Sequence, residues 1–290
     1  MTDSSPTSML RAQLHRGALT VPSCYDALGF RMLARAGFPA AFLSGFSVSA
    51  TRLGVPDAGL LSYGEMLAQA RDVAASAPMP LIVDADTGFG NAQNVQRTVR
   101  GLADAGAACL MLEDQESPKR DFGAPGAVVP RADALRRVKA AVRARDAGAD
   151  ILIIGRTDAR RAAGEASGLD ETLWRIAAFT ALGVDLIFAT GVHERDELQR
   201  IRAASDLPQL VQVDVPGGPT LVPADMHDLG FEIALYGVTF VFAAAGAFRD
   251  AIADMQAGRQ VPAARAISPA ELSAIVGVPE YLAVDRDLER

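Results

Sequence analysis

The amino-acid sequence predicts a (β/α)8 barrel, and three observations lead to that fold class. Eight short apolar segments are spaced along the 290-residue chain, and helix-type segments separate them. The apolar segments carry few polar residues, which is typical of parallel strands that are buried on both faces. Eight such units over about 240 residues match the usual size of a (β/α)8 barrel. An open, doubly wound parallel sheet is the alternative.

Each predicted strand is a short run of apolar residues, such as PLIVDAD at 80–86 and ILIIGRT at 151–157. The other predicted strands lie at 18–23, 40–45, 108–114, 185–190, 209–214 and 232–237. Amphipathic helices are predicted between strands at 63–76, 92–106, 131–148 and 171–183. A glycine follows several helical runs, as at Gly106 and Gly183, and glycine favours the left-handed residue that ends a helix.

The two ends of the chain are predicted to be helical additions to one barrel domain spanning residues 1–290. Residues 1–17 are expected to form an N-terminal capping helix, and residues 257–290 a C-terminal helical extension. Within the extension, the segment SPAELSAI at 268–275 begins with a serine and a proline. That pair is typical of a helix start.

Composition excludes several classes of protein. The net charge is −7, with 35 acidic and 28 basic residues and no basic stripe, so a nucleic-acid partner is not expected. No run reaches the roughly 18 uncharged apolar residues of a membrane span, so no transmembrane helix is expected. The sequence begins without a secretory signal pattern, and Cys24 and Cys109 offer no disulfide framework. We therefore expect a cytoplasmic protein.

Rare residues exclude some kinds of chemistry. The three histidines have no partner at the spacing of a zinc site. The two lysines, Lys119 and Lys139, lie in a loop and in a predicted helix, whereas a Schiff-base lysine is expected at a strand end. The sequence also lacks the glycine-rich motifs that bind nucleotide phosphates.

Carboxylates at the ends of predicted strands predict a metal site. Asp84 and Asp86 end the third strand, two residues apart, so that on an extended strand they would share a face. Glu113 ends the fourth strand. Strand ends meet at the mouth of a barrel, and a cluster of carboxylates there favours Mg²⁺, or Mn²⁺. A hydrogen-bonded network or a set of helix caps is the structural alternative.

Other strand ends predict a site for a small carboxylate. Arg156 ends the fifth strand and suits a substrate carboxylate held by two hydrogen bonds, or else a structural ion pair. Ser44 and Gly45 end the second strand, where backbone N–H groups can approach an oxyanion, or merely form a tight turn. The ends of the last three strands are expected to select the substrate's side chain, through Thr190, Gln212, Asp214 and Tyr236.

The loop at 115–130, QESPKRDFGAPGAVVP, is long and rich in proline and glycine. A loop of that length over a barrel mouth is expected to be a functional lid.

Several motifs together resemble the isocitrate lyase/phosphoenolpyruvate mutase superfamily. They run in order between about residue 18 and residue 250, and the sharpest are VDADTGFGN and LEDQ followed by a Pro-Lys-Arg loop. The resemblance implies an α/β barrel whose last helix is exchanged between subunits of a homodimer or homotetramer. It also implies Mg²⁺, a 2-oxo acid or its enolate, and cleavage or formation of a C–C or P–C bond.

The resemblance also assigns residues. It implies that Asp84 is the direct metal ligand, with Asp57, Asp86 and Glu113 holding the metal partly through water. Asp57, in the motif GVPDAG, is added by the resemblance alone. Ser44, Gly45 and Arg156 would then bind the carboxylate and the enolate oxygen of a pyruvate-like unit.

Departures from the family pattern narrow the expected reaction. The lyases carry Cys-Gly-His in the lid after a basic pair, but here Lys119 and Arg120 are followed by Asp121, Phe122 and Gly123. The usual Phe-x-Glu-Gly of the sixth strand is Phe-Ala-Thr-Gly here. The usual Asn-Met-x-Glu-Gly-like run of the seventh strand is Gln-Val-Asp-Val-Pro here. The metal and enolate half of the site is kept, and the half that holds the leaving fragment is changed.

We therefore expect Mg²⁺-dependent cleavage of a small 2-oxo dicarboxylate through a pyruvate-type enolate, with oxaloacetate-type decarboxylation favoured. Asp121 is a candidate acid or base in place of the lid cysteine. The alternatives are a C–C lyase or aldolase acting on another 2-hydroxy or 2-oxo acid, and a P–C mutase or hydrolase. A non-catalytic barrel that binds a 2-oxo acid is the last alternative.

Overall fold

The computed structural model describes residues 5–119, 126–164, 167–214 and 222–289. Parallel strands form a closed barrel in which they follow one another in sequence order. The ring closes because β1 pairs with β8, which excludes the open sheet and confirms the predicted barrel. The strands are β1 Leu19–Cys24, β2 Ala41–Leu43, β3 Leu81–Asp84, β4 Cys109–Glu113, β5 Leu152–Thr157, β6 Leu186–Ala189, β7 Gln209–Gln212 and β8 Ile233–Tyr236.

Helices surround the barrel and alternate with the strands. Two of the predicted helix-to-strand glycines, Gly106 (φ +90°) and Gly183 (φ +85°), have the left-handed backbone that ends a helix. A π-helical turn at Ser49–Leu53 follows α3. The α-helices are α1 Pro6–Arg16, α2 Ala27–Arg35, α3 Gly45–Val48, α4 Tyr63–Ser76, α5 Ala92–Asp104, α6 Arg131–Asp146, α7 Leu169–Ala181, α8 Arg195–Arg202, α9 Pro223–Asp228, α10 Thr239–Gln256, α11 Pro269–Ile275 and α12 Val278–Leu288.

Two apolar layers hold the barrel together. One layer fills its interior with alternate strand residues such as Ile82, Met111 and Ile154, and the other lies between the strands and the helices. Alternation places the residue two positions beyond an interior residue on the same inner face. The side chains that follow the interior layer are therefore directed to the mouth formed by the strand ends.

Helix α1 closes the opposite end of the barrel, as the sequence predicts. Its Leu10 is buried against the interior layer. The hydroxyl of Thr7 donates to the carbonyl of Asp150, just before β5, at 2.9 Å. These contacts leave the mouth at the carboxyl ends of the strands as the open end.

The C-terminal helices cover little of their own barrel. Helix α10 is 18 residues long, yet Val241 and Asp254 are its buried residues. Helix α11 is fastened to α2, because Arg31 Nε donates to the carbonyl of Ile275 at 2.7 Å and Arg35 Nη1 to that of Ala274 at 3.0 Å. Within the described residues, no helix is both long and apolar enough to cross a bilayer.

Candidate active site

The strand ends bring together the predicted acidic residues and Arg156. Glu113 and Arg156 are paired positions on β4 and β5, and Asp84 ends the neighbouring strand β3. Arg156 Nη1 contacts Glu113 Oε2 at 3.0 Å. Glu113 is almost completely buried, and Asp84 is buried as well. The mouth of the barrel is thus built around buried charges.

Asp84 is held by two backbone N–H groups. Gly45 donates to its Oδ2 at 3.1 Å, and Asp86 donates to its Oδ1 at 3.2 Å. A Cβ at position 45 would stand 2.9 Å from Asp84 Oδ2, so glycine is required for this close approach. The Ser44 hydroxyl caps α3 by accepting the Ser47 N–H at 3.3 Å. Gly45 therefore lies directly beside Asp84, and Ser44 caps the short helix that begins with Gly45.

Asp86 reaches the cluster through a turn, and the reason predicted from an extended strand is wrong. Strand β3 ends at Asp84, and Asp86 has a left-handed backbone with φ of +45°. That conformation is uncommon for a non-glycine residue and concentrates at functional sites. Burial and then the Asp84 carboxylate raise the pKa of Asp86 to about 6.

Lys119 lies among these carboxylates, although the sequence analysis does not identify it as a site residue. Its Nζ is 2.9 Å from Asp57 Oδ2, 3.4 Å from Asp86 Oδ1 and 3.6 Å from Glu113 Oε1. Burial lowers the pKa of Lys119, but Glu113, Asp86 and Asp57 raise it by more, so the ammonium stays charged. Two features of the sequence could have indicated this role. The chain has only two lysines, and one of them lies in the loop next to strand ends that carry several acids.

Contacts near Lys119 join the two ends of the loop at 115–130 and pack the loop against the segment that carries Asp57. Gln115 and Val128 form an antiparallel bridge that joins the two ends of the loop. A Cβ on Gly59 (φ +73°) would stand 3.1 Å from the Cα of Pro118, so the loop carrying Asp57 packs closely on the lid. Asp121 lies outside the described residues.

The carboxylate cluster suits a cation. The Oε1 atom of Glu113 is buried without a hydrogen-bond partner. Burial raises the pKa of Glu113 to about 8, against the opposing charges of Arg156 and Lys119. A cavity of about 30 Å³ is lined by Asp86, Glu113 and Lys119 among others. This volume holds about one water-sized particle.

The donor chemistry therefore fits Mg²⁺, which binds carboxylate oxygens and water. Among the residues that the structure describes, no three His, Cys, Asp or Glu side chains already stand at metal-ligand spacing. The Lys119 ammonium stands between the acids instead, at 2.9 to 3.6 Å.

Arg156 is held on one edge by Asp158, a residue that sequence reasoning did not place in the site. Arg156 Nε and Nη2 donate to Asp158 Oδ2 and Oδ1, both at 2.9 Å. The hydroxyl of Thr190 donates to Asp158 Oδ1 at 2.8 Å. Burial raises the pKa of Asp158, but Arg156 lowers it by more. Because Arg156 Nη1 also contacts Glu113 Oε2 at 3.0 Å, a substrate carboxylate would have to use the N–H groups of Nη1 and Nη2 that these two acids leave free.

Gln212 and Asp214 contact each other at the end of β7, whereas Tyr236 lies in the apolar layer between the strands and the helices. Gln212 follows interior Leu210 on β7 and donates to Asp214 Oδ1 at 3.0 Å. Asp214 accepts the N–H groups of residues 237–239 and so caps α10, which makes it a structural anchor. Tyr236 packs on the layer between strands and helices, because its neighbour Leu235 is the interior residue. The structure does not bring Tyr236 to the other candidates.

The fold and this site define a (β/α)8 protein whose mouth brings several carboxylates together with Lys119 and the partly buried Arg156. Residues 10–256 match the family described as phosphoenolpyruvate phosphomutase. The chain therefore belongs to the phosphoenolpyruvate mutase/isocitrate lyase superfamily, which confirms the resemblance seen in its motifs.

Two curated relatives cover most of this chain. 2,3-Dimethylmalate lyase of Eubacterium barkeri is 38% identical over 80% of this chain and 79% of its own length. Oxaloacetate decarboxylase of Bradyrhizobium sp. (strain ORS 278) is 34% identical over 93% of each chain.

Two solved structures share the fold over nearly the whole chain. Oxaloacetate acetylhydrolase with the inhibitor 3,3-difluorooxalacetate has a TM-score of 0.90 at 29% identity, covering 98% of this chain and 97% of its own. Phosphonopyruvate hydrolase complexed with oxalate and Mg²⁺ has a TM-score of 0.86 at 30% identity, covering 99% of this chain and 100% of its own. The relatives are thus lyases, hydrolases and mutases of small acids.

Proposed function

We propose that this protein cleaves a C–C bond in a small 2-oxo dicarboxylate with the help of a divalent metal, and that it decarboxylates an oxaloacetate-type substrate. The observation that carries the proposal is the cluster of carboxylates around the Lys119 ammonium. One of these carboxylates, Glu113, also contacts Arg156. When the carboxylate on the carbon next to the 2-oxo group leaves as carbon dioxide, the electron pair of the broken C–C bond forms an enolate and places negative charge on the oxo oxygen. Fixed positive charge beside that oxygen stabilises the enolate in the transition state.

Asp84, Asp86, Glu113 and Asp57 are the residues that would hold Mg²⁺, or Mn²⁺. When bound, the ion supplies positive charge at the oxo oxygen as the enolate forms. The buried Glu113 oxygen without a hydrogen-bond partner and the adjoining small cavity support this assignment. Phosphonopyruvate hydrolase, which shares this fold, has been solved in complex with oxalate and Mg²⁺, and this supports a divalent metal as the cofactor.

The chain's own residues would orient the substrate. Arg156 would bind the carboxylate next to the oxo group through the N–H groups of Nη1 and Nη2 that Asp158 and Glu113 leave free. Ser44 and Gly45, next to Asp84, would face the substrate's oxygens. Thr190 follows β6 and Gln212 ends β7, each two residues beyond an interior side chain, Phe188 or Leu210, and both would limit the size of the departing group.

The enolate must take up one proton to become pyruvate, since oxaloacetate and a proton give pyruvate and carbon dioxide. Asp121 in the lid is the candidate acid. We expect Asp121→Asn to lower kcat about 100-fold with little change in KM, because a positioned acid contributes on that order. A variant with full kcat would exclude Asp121 from proton transfer, and Asp228→Asn, on exposed α9, is the matched control.

Hydrolytic cleavage of oxaloacetate is the second candidate. The observation that favours it is the TM-score of 0.90 with oxaloacetate acetylhydrolase, of which a complex with the product oxalate is also known. The two candidates share a substrate and differ in products. Decarboxylation yields pyruvate, whereas hydrolysis yields oxalate.

The deciding experiment is oxaloacetate turnover with EDTA and with Mg²⁺ restored, using proton and carbon NMR to identify products. Free Mg²⁺ decarboxylates oxaloacetate slowly, so Asp84→Ala is the necessary control. Pyruvate release that needs metal and is lost in Asp84→Ala supports decarboxylation. Oxalate as the product supports hydrolysis, and a wild-type rate equal to the Asp84→Ala background contradicts both.

A further inference from the structure

Arg175, on α7, is a fully buried arginine outside the strand ends, with 0% of its surface exposed. Its Nε donates to Glu171 Oε1 at 2.7 Å, one turn earlier on the helix. Its Nη1 donates to Asp114 Oδ2 at 2.9 Å, and its Nη2 donates to the carbonyl of Val129 at 2.8 Å. The guanidinium therefore joins α7, the end of β4 and the chain that enters α6.

Asp114 carries this connection to the active site. It directly follows Glu113, and its second oxygen, Oδ1, accepts the backbone N–H of Asp158 at 3.0 Å. The carboxylate of Asp158 then binds Arg156 through two hydrogen bonds of 2.9 Å. Arg175, Asp114, Asp158 and Arg156 thus form one continuous chain of contacts from α7 to the mouth of the barrel.

Stability alone does not explain such a chain. A buried ion pair is often no more stabilising than an apolar pair of the same size, because both charges lose their water. A buried network in which the members are paired does, however, fix one geometry. The end of this network is the side chain that would receive the substrate.

We propose that Arg175 and Asp114 are positioning residues, which fix the backbone at Asp158 so that Asp158 orients Arg156 toward the substrate carboxylate. This inference rests on the proposed function, in which Arg156 binds that carboxylate. Arg175 itself touches no substrate. Its removal should therefore weaken binding of the carboxylate and leave metal binding intact.

The test uses oxalate as the probe, titrated calorimetrically into the full chain in the presence of Mg²⁺. We expect Arg175→Met to raise the Kd of oxalate about tenfold, the usual scale for losing one hydrogen bond to a charged group. The Kd of Mg²⁺ alone should stay at the wild-type value. With oxaloacetate, KM should rise more than kcat falls.

Two variants separate positioning from general damage. Arg175→Lys keeps the charge beside Asp114 and should recover most of the oxalate affinity. Arg145→Met breaks a comparable contact, 2.7 Å to Asp185, at the opposite end of the barrel. It should lower the melting temperature and leave the Kd of oxalate unchanged.

A folded Arg175→Met protein with the wild-type oxalate Kd and KM would overturn the inference. If that variant does not fold, Asp114→Asn decides instead. A raised oxalate Kd in Asp114→Asn supports positioning, and wild-type affinity in that variant overturns it. Wild-type protein that binds no oxalate with Mg²⁺ would contradict the proposed function itself, and this inference with it.

Discussion

Lys119 places a positive charge where the sequence predicts a metal ion. Its ammonium is within 3.6 Å of Asp57, Asp86 and Glu113, the acids expected to hold Mg²⁺. A divalent ion that enters this cluster is attracted by the carboxylates and repelled by the ammonium. We therefore expect the lysine to compete with a metal ion for these acids.

We predict that Lys119→Met tightens Mg²⁺ binding at least about tenfold, because a unit charge at this range opposes the ion strongly. Isothermal calorimetry on metal-free protein measures the change. Lys139→Met, at an exposed position on α6, is a matched control and should bind like wild type. An unchanged Kd in Lys119→Met would show that the ammonium does not compete with the metal.

Burial keeps both cysteines away from substrate and solvent. Neither can therefore take the place of the lid cysteine that the lyases of the family carry. Both are buried. Burial, aided by Asp26, raises the pKa of Cys24, and burial also raises that of Cys109. A raised pKa lowers the thiolate fraction at pH 8, and thiolate is the reactive form.

We therefore predict that the native protein reacts with a disulfide reagent at pH 8 more slowly than an exposed thiol by at least about 100-fold. Protein unfolded in guanidinium should release both thiols at once. Ala257→Cys, at an exposed position, supplies the positive control. Rapid reaction of the wild-type protein would contradict the burial of these residues.

At the scale of one element, Asp214 fastens α10 to β7. Its carboxylate accepts three backbone N–H groups and the hydroxyl of Thr239 at 2.7 to 2.9 Å. Burial raises its pKa, but the Val238 N–H and these other donors lower it by more. The anion is thus the form that the folded protein prefers.

We predict that Asp214→Asn lowers stability by about 1 kcal/mol, because the amide cannot accept every one of these donors. The folded pKa is lowered, so the stabilisation is complete above the ordinary aspartate pKa of about 3.9. It is lost as the pH falls through the folded value. Melting curves should therefore differ at pH 7 and converge in acid, with exposed Asp228→Asn unchanged throughout.

The strands were predictable because burial on both faces leaves a simple apolar run in the sequence. A run of apolar residues does not show which of them face the barrel interior and which face the helices. In β8, Leu235 and Tyr236 are both suited to a core, and only the assembled barrel shows that Leu235 faces the interior. Asp86 was placed near Asp84 for the wrong reason, since a left-handed turn is not visible in residue spacing.

Long-range contacts were harder to predict than strand ends. Asp84, Glu113 and Arg156 follow from counting along each strand, because register carries them to one mouth. Lys119 and Asp57 come from two loops, and their 2.9 Å contact depends on how the lid packs. No pattern in a single sequence specifies that packing.

For the whole molecule, the C-terminal helices leave apolar faces uncovered. On α10, Phe248, Ile252 and Met255 lie on one face and are 72%, 51% and 69% exposed. On α12, Tyr281 and Leu288 are 74% and 81% exposed. Exposed apolar stripes of this kind mark protein–protein contacts.

We predict a homodimer or homotetramer in which α10 packs on a second copy of the chain, in keeping with the helix exchange that the family resemblance implies. Light scattering after gel filtration should give a multiple of 30.4 kDa. The double variant Phe248→Arg, Met255→Arg should dissociate toward monomer, because two charges would be buried without partners. Val222→Arg, at an exposed apolar position on another surface, should keep the wild-type mass. A wild-type monomer at micromolar concentration would contradict the prediction and leave the exposed stripe on α10 without a partner.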